Sequence, residues 1–359
     1  MHVTPIFAKN FTTEINHSMW KIPSEQDLHR HTWLAYPWDR RIWGNDLSAA
    51  QGTITNLIRA ISSYESVRLL VPAMYEKSLA RRFQSSEIEI IPANYNDIWV
   101  RDTLPTFAVG SDSSLIAVDW HFNGWGKTPG LPYTQDAKLS RLVAHMAGAS
   151  VVDADVIAEG GAFAFDGQDT IVATKSVMLH ARRNGGRSLY HLQKALLQPC
   201  SCASICWLPG DISEAVTRGH ADAIIAFANR STVLFHWIEN EQCWERKICE
   251  ENLTAFKSWM DQHNRKYAII KLPSLPSPKR QYCTSYVNFA HVNGAIMLPV
   301  HGGRFAKLDD RATGIVSEVF GKPVVPVPIG EIAAYGGGIH CATQQEPMIN
   351  ATIRIESEN

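Results

Sequence analysis

Four stretches of the chain repeat one pattern: an apolar run, a short polar or glycine-bearing break, and a second apolar run. They are Thr106 to Trp120, Gly161 to Thr174, Ala223 to Phe235 and Val287 to Val300. Asp166-Gly167 and Asn293-Gly294 stand in two of the breaks, and such dipeptides between β-rich runs predict hairpins. After most hairpins come apolar residues at helical spacing, over Asp136 to Met146, Ser188 to Leu197, Cys249 to His263 and Ala306 to Phe320. Shorter apolar runs, Ser66 to Val71, Ile88 to Ile91 and Val324 to Val327, read as single strands. The unit recurs roughly five times at about 55–70 residues, a period that suggests a ring or propeller. Only the pattern repeats; the residue identities do not. The predicted class is α/β.

Distinctive polar residues fall at equivalent points of these units. Asp102 precedes the first hairpin, Glu159 the second, and His220 and Asp222 the third; Asn288 lies within the fourth. Cys341 takes the corresponding place in a last, incomplete unit. If the units surround a common axis, all of these groups meet in one central cleft.

Each segment has its own reading. In Tyr335-Gly-Gly-Gly-Ile-His-Cys341, the glycines let the backbone approach a ligand closely, and the cysteine is placed as an exposed nucleophile. Alone, such a segment more often marks a turn before a buried structural cysteine; the other polar groups tip the balance. Asn96-Asp-Ile-Trp-Val-Arg-Asp102, read as a strand, puts Trp99 and Arg101 on one face and Asp102 on the other. A carboxylate beside a large ring can hold a planar cation. Glu159 sits before Gly160-Gly161 and an apolar run, either solvent-facing or functional. His220 and Asp222, two apart, share a face if extended, and an imidazole can serve as both acid and base.

A thiol, an imidazole and several carboxylates suit attack on a planar cationic carbon. A guanidinium fits, because carboxylates take its N–H groups in forked hydrogen bonds. An ordinary amide or ester would suffer, since the same carboxylates would repel a developing oxyanion.

Composition narrows the classes further. The chain has 359 residues, 45% apolar and 19% charged, with a net charge of −1, and so reads as a globular enzyme with no electrostatic footprint for nucleic acid or an anionic membrane. No apolar run reaches the ~18 residues of a membrane span. Met1 to Lys21 lacks the apolar core of a signal peptide, so a cytoplasmic location is expected. The cysteines are seven, an odd number, which argues against a disulfide framework. Cys200, Cys202 and Cys206 cluster without a second pair at zinc-ligand spacing, and Cys243 and Cys249 fare no better. All read as reduced structural thiols, and neither metal nor cofactor is expected.

The segments also resemble a known family. His31-Thr-Trp-Leu-Ala-Tyr-Pro37, Asn96-Asp97 with Trp99-Val-Arg-Asp102-Thr-Leu-Pro105, Asp119-Trp-His-Phe-Asn-Gly-Trp-Gly126 and Glu159-Gly-Gly161 follow its order. So do Arg183-Asn184, Trp207-Leu-Pro209, Gly219-His-Ala-Asp222, Ser285-Tyr-Val-Asn-Phe289 and Ile339-His-Cys-Ala-Thr-Gln-Gln-Glu-Pro347. The chain is similar, nearly end to end, to the agmatine deiminases of the guanidine-modifying superfamily. That resemblance implies a single domain over 1–359, a five-bladed α/β propeller (the pentein fold) of ββαβ-type repeats. It implies a hydrolase releasing ammonia from a small guanidino substrate, with Cys341 as nucleophile, His220 as acid and base, Asp102 and Asp222 on the guanidinium, and Glu159 beside the imidazole. Trp99, Arg218, Asn288, Gly337 and Gly338 are expected to line the substrate site.

The departures concern the substrate tail. Tyr36 stands where a tryptophan is usual, Trp38 where an acidic residue is usual, Val216-Thr-Arg218 replaces an acidic run, and Gly338 replaces an asparagine. These changes point away from an ammonium tail and toward a carboxylate-bearing or bulkier guanidine. An amidinotransferase with the same machinery and a non-catalytic guanidine-binding protein are the alternatives, and a homo-oligomer is left open.

Overall fold

The computed structural model describes residues 20–277 and 282–349. The N-terminal stretch read for a signal peptide lies outside them except for Trp20 and Lys21. Seventeen strands are described: β1 (Trp20–Lys21), β2 (His29–Ala35), β3 (Val67–Val71), β4 (Ile88–Pro92), β5 (Thr106–Gly110), β6 (Leu115–Asp119), β7 (Ser150–Asp153), β8 (Phe163–Phe165), β9 (Thr170–Thr174), β10 (Ser204–Leu208), β11 (Ile225–Asn229), β12 (Thr232–Ile238), β13 (Ala268–Ser274), β14 (Ala290–Val292), β15 (Ala295–Val300), β16 (Val324–Pro328) and β17 (Gln344–Pro347). They form five sheets, in the orders β17-β2-β3-β4, β1-β5-β6-β7, β8-β9-β10, β11-β12-β13 and β14-β15-β16.

Four sheets are built alike. An antiparallel hairpin is followed by a helix and a third strand parallel to the second: β6 with β7, β9 with β10, β12 with β13, and β15 with β16. Parallel neighbours need a crossover connection, and the helices Leu139–Ala147, Leu189–Cys200, Trp244–Gln262 and Ala306–Phe320 supply it. These are ββαβ units, as the repeat pattern predicts.

The remaining sheet closes the ring. Its outer strand is β17, which pairs antiparallel with β2 through Gln344 opposite Trp33 and Glu346 opposite His31. The indole of Trp33 donates to the Glu346 carboxylate at 2.9 Å, pinning that register. The incomplete last unit is thus completed by strands from the start of the chain. Helix Leu47–Ser62 seals the joint: Ala50, Ile54, Leu57, Ile58 and Ile61, fully buried at helical spacing, pack with Leu34, Leu69, Met297 and Val327 from the first and fifth sheets.

Three sequence readings are corrected here. Asn96 to Asp102 is not a strand: it is a loop ending in the one-turn helix Val100–Thr103. Helical spacing then sets Trp99 and Asp102 toward one side, and both wall the same cavity. His220 and Asp222 come together on a 3₁₀ turn, Ala221–Ala223, rather than on a strand. Asn288 precedes β14 instead of lying within its hairpin, so its place matches those of the other polar groups. Strands β2, β7, β10 and β13 went unread, and helix Trp244–Gln262 begins before the Cys249 predicted.

Candidate active site

Each candidate residue stands just before the first strand of a hairpin. Asp102 lies on the turn before β5, Glu159 before β8, His220 and Asp222 before β11, Asn288 before β14 and Cys341 before β17. Five sheets therefore bring their equivalent positions to one place.

The distances show that convergence. The Cys341 Sγ lies 3.3 Å from Asn288 Oδ1 and 3.6 Å from Asp222 Oδ2. His220 puts Nε2 3.3 Å from Glu159 Oε2 and Nδ1 3.6 Å from Asp102 Oδ1. A Cβ added to Gly161 would sit 2.6 Å from His220 Nδ1, 2.7 Å from Asp102 Oδ1 and 3.0 Å from Asp222 Oδ2. One point is thus ringed by an imidazole and two carboxylates, which is why that position carries no side chain.

A buried polar shell holds these groups. The Arg183 guanidinium donates from Nε to both Glu159 oxygens, at 2.8 and 3.1 Å, and both side chains are fully buried. The Trp125 indole donates to Asp102 Oδ2 at 2.8 Å, and the Gly161 N–H to Asp102 Oδ1 at 3.0 Å. His340 sits between two acids, Nδ1 2.8 Å from Asp222 Oδ2 and Nε2 2.8 Å from Glu25 Oε1. Arg101 reaches Glu25 at 3.6 Å. Asp222 Oδ1 has no hydrogen-bond partner among the described residues.

Charge coupling follows from this geometry. Burial works against the charged form of His220, but Asp102 and Glu159 override it and push the imidazole up to about 9. Burial also opposes ionisation of Glu159 and Asp222, yet Arg183 and His220 hold the first low, and His340 the second. The Asp102 carboxyl is raised by burial and by the neighbouring acids. Burial, with Asp222, Cys283 and Asp102 nearby, pushes the Cys341 thiol well above its usual value.

Two cavities meet at Cys341, Thr217 and Gly336. The larger, of about 260 Å³, is walled by Trp99, Asp102, Trp125, Leu131, Val216 and Tyr335. The smaller, of about 130 Å³, carries His220, Asp222, His236 and Glu245. Gly337 lies against the Trp99 ring and Gly338 against the Asn288 amide, each too close for a side chain.

Three expectations fail. Arg218 is not among the residues walling either cavity; its Nη1 donates to the Ile212 carbonyl at 3.0 Å. Tyr36 and Trp38 do not form a substrate rim. They pack against Tyr75 and Tyr95, with ring centroids 5.9 and 6.5 Å apart.

All seven cysteines are free. The atoms of Asp119, His121 and Asp153 lie within 4.8 Å of one another, but Arg141 already bridges the two aspartates. No helix among the described residues is long and apolar enough to cross a membrane.

By its family the chain is a deiminase, a hydrolase acting on carbon–nitrogen bonds. The chain belongs to the Porphyromonas-type peptidyl-arginine deiminase family, whose sequence profile matches residues 21–347. A putative agmatine deiminase of Streptomyces coelicolor is 30% identical over 338 residues, spanning 91% of this chain and 98% of the relative. One from Streptococcus mutans is 32% identical over 91% of this chain and 95% of its own. The solved agmatine deiminase of Enterococcus faecalis shares the pentein fold, with a TM-score of 0.85 at 24% identity over 96% of this chain and 100% of that one.

Proposed function

We propose that the protein hydrolyses the guanidino group of a small molecule to a ureido product and ammonia through an amidino adduct on Cys341. The observation that carries this reading is the point beside Gly161. It is faced by Asp102, Asp222 and His220 within 3.0 Å, with the thiol 3.6 Å from Asp222. Two ionised carboxylates on either side of a planar cation take its N–H groups, and Trp99 covers the approach.

The steps follow from the groups present. With the guanidinium bound, the Cys341 thiol releases its proton to solvent, and the thiolate adds to the guanidinium carbon. The protonated His220 gives its proton to a departing nitrogen, and ammonia leaves as the C–N bond breaks. Now neutral, His220 takes one proton from water, which attacks the adduct carbon; the C–S bond breaks, the thiolate departs, and the ureido product is freed as the second water proton passes to solvent. Glu159, held by Arg183, keeps the imidazole oriented and charged. Asn288 sits against the sulfur, and Gly337 and Gly338 allow Trp99 and Asn288 their close approach.

The test is ammonia and ureido product from guanidino compounds with no acceptor amine present, which also separates this reading from amidino transfer. Cys341→Ala should retain its circular dichroism and lose turnover. His220→Asn should let the adduct accumulate on the intact protein, visible by mass. Full activity in Cys341→Ala would sink the assignment.

A further inference from the structure

From the walls of the larger cavity we infer that the substrate's tail is uncharged and apolar, an alkyl or arylalkyl group on the guanidine. This rests on the guanidine reading above.

Beyond Asp102 and Cys341 the cavity is bounded by Ile42, Trp99, Trp125, Leu131, Val216 and Tyr335. The polar edges of these rings are engaged elsewhere. The Trp125 N–H is spent on Asp102 Oδ2 at 2.8 Å, and the Tyr335 hydroxyl donates to the Trp43 carbonyl at 2.9 Å. The Tyr335 ring lies against Trp43, with centroids 4.5 Å and planes 37° apart. The cavity's 260 Å³ has room for a chain of several carbons or a phenyl ring.

Two further charged side chains reach this cavity, and neither is free. Asp97 is buried, its Oδ1 accepts the Ile98 N–H at 2.8 Å, and the Trp43 and Trp99 side chains beside it help to hold its charge. Arg41 is held in a fork by Asp39, at 3.0 and 2.6 Å, with 79% of its side chain in solvent. In the smaller chamber, Asp211 Oδ1 accepts from the Ser213 N–H and hydroxyl at 2.8 and 2.5 Å. Glu214 there accepts backbone N–H groups of Val216, Thr217 and Arg218 at 2.9, 2.5 and 2.7 Å, and Glu245 accepts the Ser277 N–H at 3.0 Å. An ammonium or carboxylate tail would meet an apolar wall whose charged neighbours are already engaged, and a missing partner separates substrates strongly.

The experiment compares kcat/KM of the protein for butylguanidine, 2-phenylethylguanidine, agmatine and 4-guanidinobutanoate by ammonia release. Each neutral guanidine should exceed both charged ones by at least about ten-fold. Val216→Glu, which sets a carboxylate in the wall, should raise the agmatine-to-butylguanidine ratio by at least about ten-fold, and Val216→Gln should not. Agmatine or 4-guanidinobutanoate equalling the neutral compounds would overturn the inference and leave the deiminase reading intact. Ammonia from none of the four would overturn the guanidine reading and this inference with it.

Discussion

Alanine at Gly161 probes the centre of the site with one methyl group. That methyl would stand 2.6 Å from His220 Nδ1, 2.7 Å from Asp102 Oδ1 and 3.0 Å from Asp222 Oδ2. Non-bonded heavy atoms settle near 3.5–4.0 Å, so each group must retreat by roughly 0.5–1 Å. The backbone raises no objection, since Gly161 lies in a 3₁₀ turn outside the left-handed region. Overpacking costs about 1–3 kcal/mol, offset by about 0.4–1 kcal/mol from the stiffer unfolded chain. Thermal stability should therefore fall by a few degrees at most.

Catalysis should suffer far more, because a misplacement of ~1 Å costs on the order of 10² in rate, and here the acid and two cation-binding oxygens move together. Ammonia release should show kcat/KM down by about 10²–10³ with the melting profile nearly kept. Gly160→Ala is the control: its methyl would strike the Arg101 carbonyl of the backbone, so it should unfold the protein more readily. A Gly161→Ala enzyme within about three-fold of the parent would refute the geometry, since so small a change is under 1 kcal/mol of barrier.

Other perturbations test the charges. Asp102 and Glu159 raise the His220 imidazole from 6.5 to about 9 against the opposing effect of burial, so its stabilisation is complete below 6.5 and is lost as pH rises through about 9. His220→Asn should therefore flatten the decline in urea midpoint across that window, by on the order of 3 kcal/mol; parallel profiles would reject it. Burial raises the Asp136 carboxyl to about 8, with Oδ1 accepting the Asn96 N–H at 2.7 Å. A raised acid destabilises the fold as pH climbs from 3.8 through 8, so Asp136→Asn should match the parent below pH 3.8 and exceed it in urea resistance by a margin that grows until about pH 8. Finally, Cys341 should react with chloroacetamidine, a cation, at least about ten-fold faster than with neutral chloroacetamide near neutral pH. Asp222→Asn should erase most of that difference; equal rates in the parent would contradict a cation-binding site.

What the sequence disclosed and what it hid follow from how each feature is encoded. The hairpins were legible because apolar runs and turn dipeptides are local signals, and helix Ala306–Phe320 was read residue for residue. Strand β7 was not, because three of its four residues are exposed and no apolar run marks it. The pairing of β17 with β2 joins the two ends of the chain, and no local pattern encodes it. The six groups at the centre were found by their chemistry and spacing, yet Asn96 to Asp102 was misread because a one-turn helix has too few residues for a period. Glu25 and Arg183 were missed for a different reason. Glu25 lies in a polar stretch without periodicity, and Arg183, noted only as part of the Arg183-Asn184 segment, was given no role because nothing local distinguishes its charge from that of Arg182. Only the fold turns one toward Glu159 and leaves the other exposed.

The charges of the assembled site explain why the thiol rests protonated and what would ionise it. Four acids, Glu25, Asp102, Glu159 and Asp222, face four bases, Arg101, Arg183, His220 and His340, across contacts of 2.8 to 3.6 Å. With both imidazoles protonated the count is even. A thiolate would make it negative, in keeping with the raised Cys341 thiol. The balance is not uniform in space, however. Glu25 and Glu159 are closed off by their own cations, whereas Asp222 Oδ1 is unpartnered among the described residues and Asp102 keeps a raised carboxyl. The acidity that remains is therefore gathered at the one point between them. A guanidinium arriving there adds a positive charge and expels water, and ionising Cys341 returns the count to even at no net cost in charge. By this logic the substrate itself prepares the nucleophile, and an uncharged amide in the same place would leave the thiol as it was.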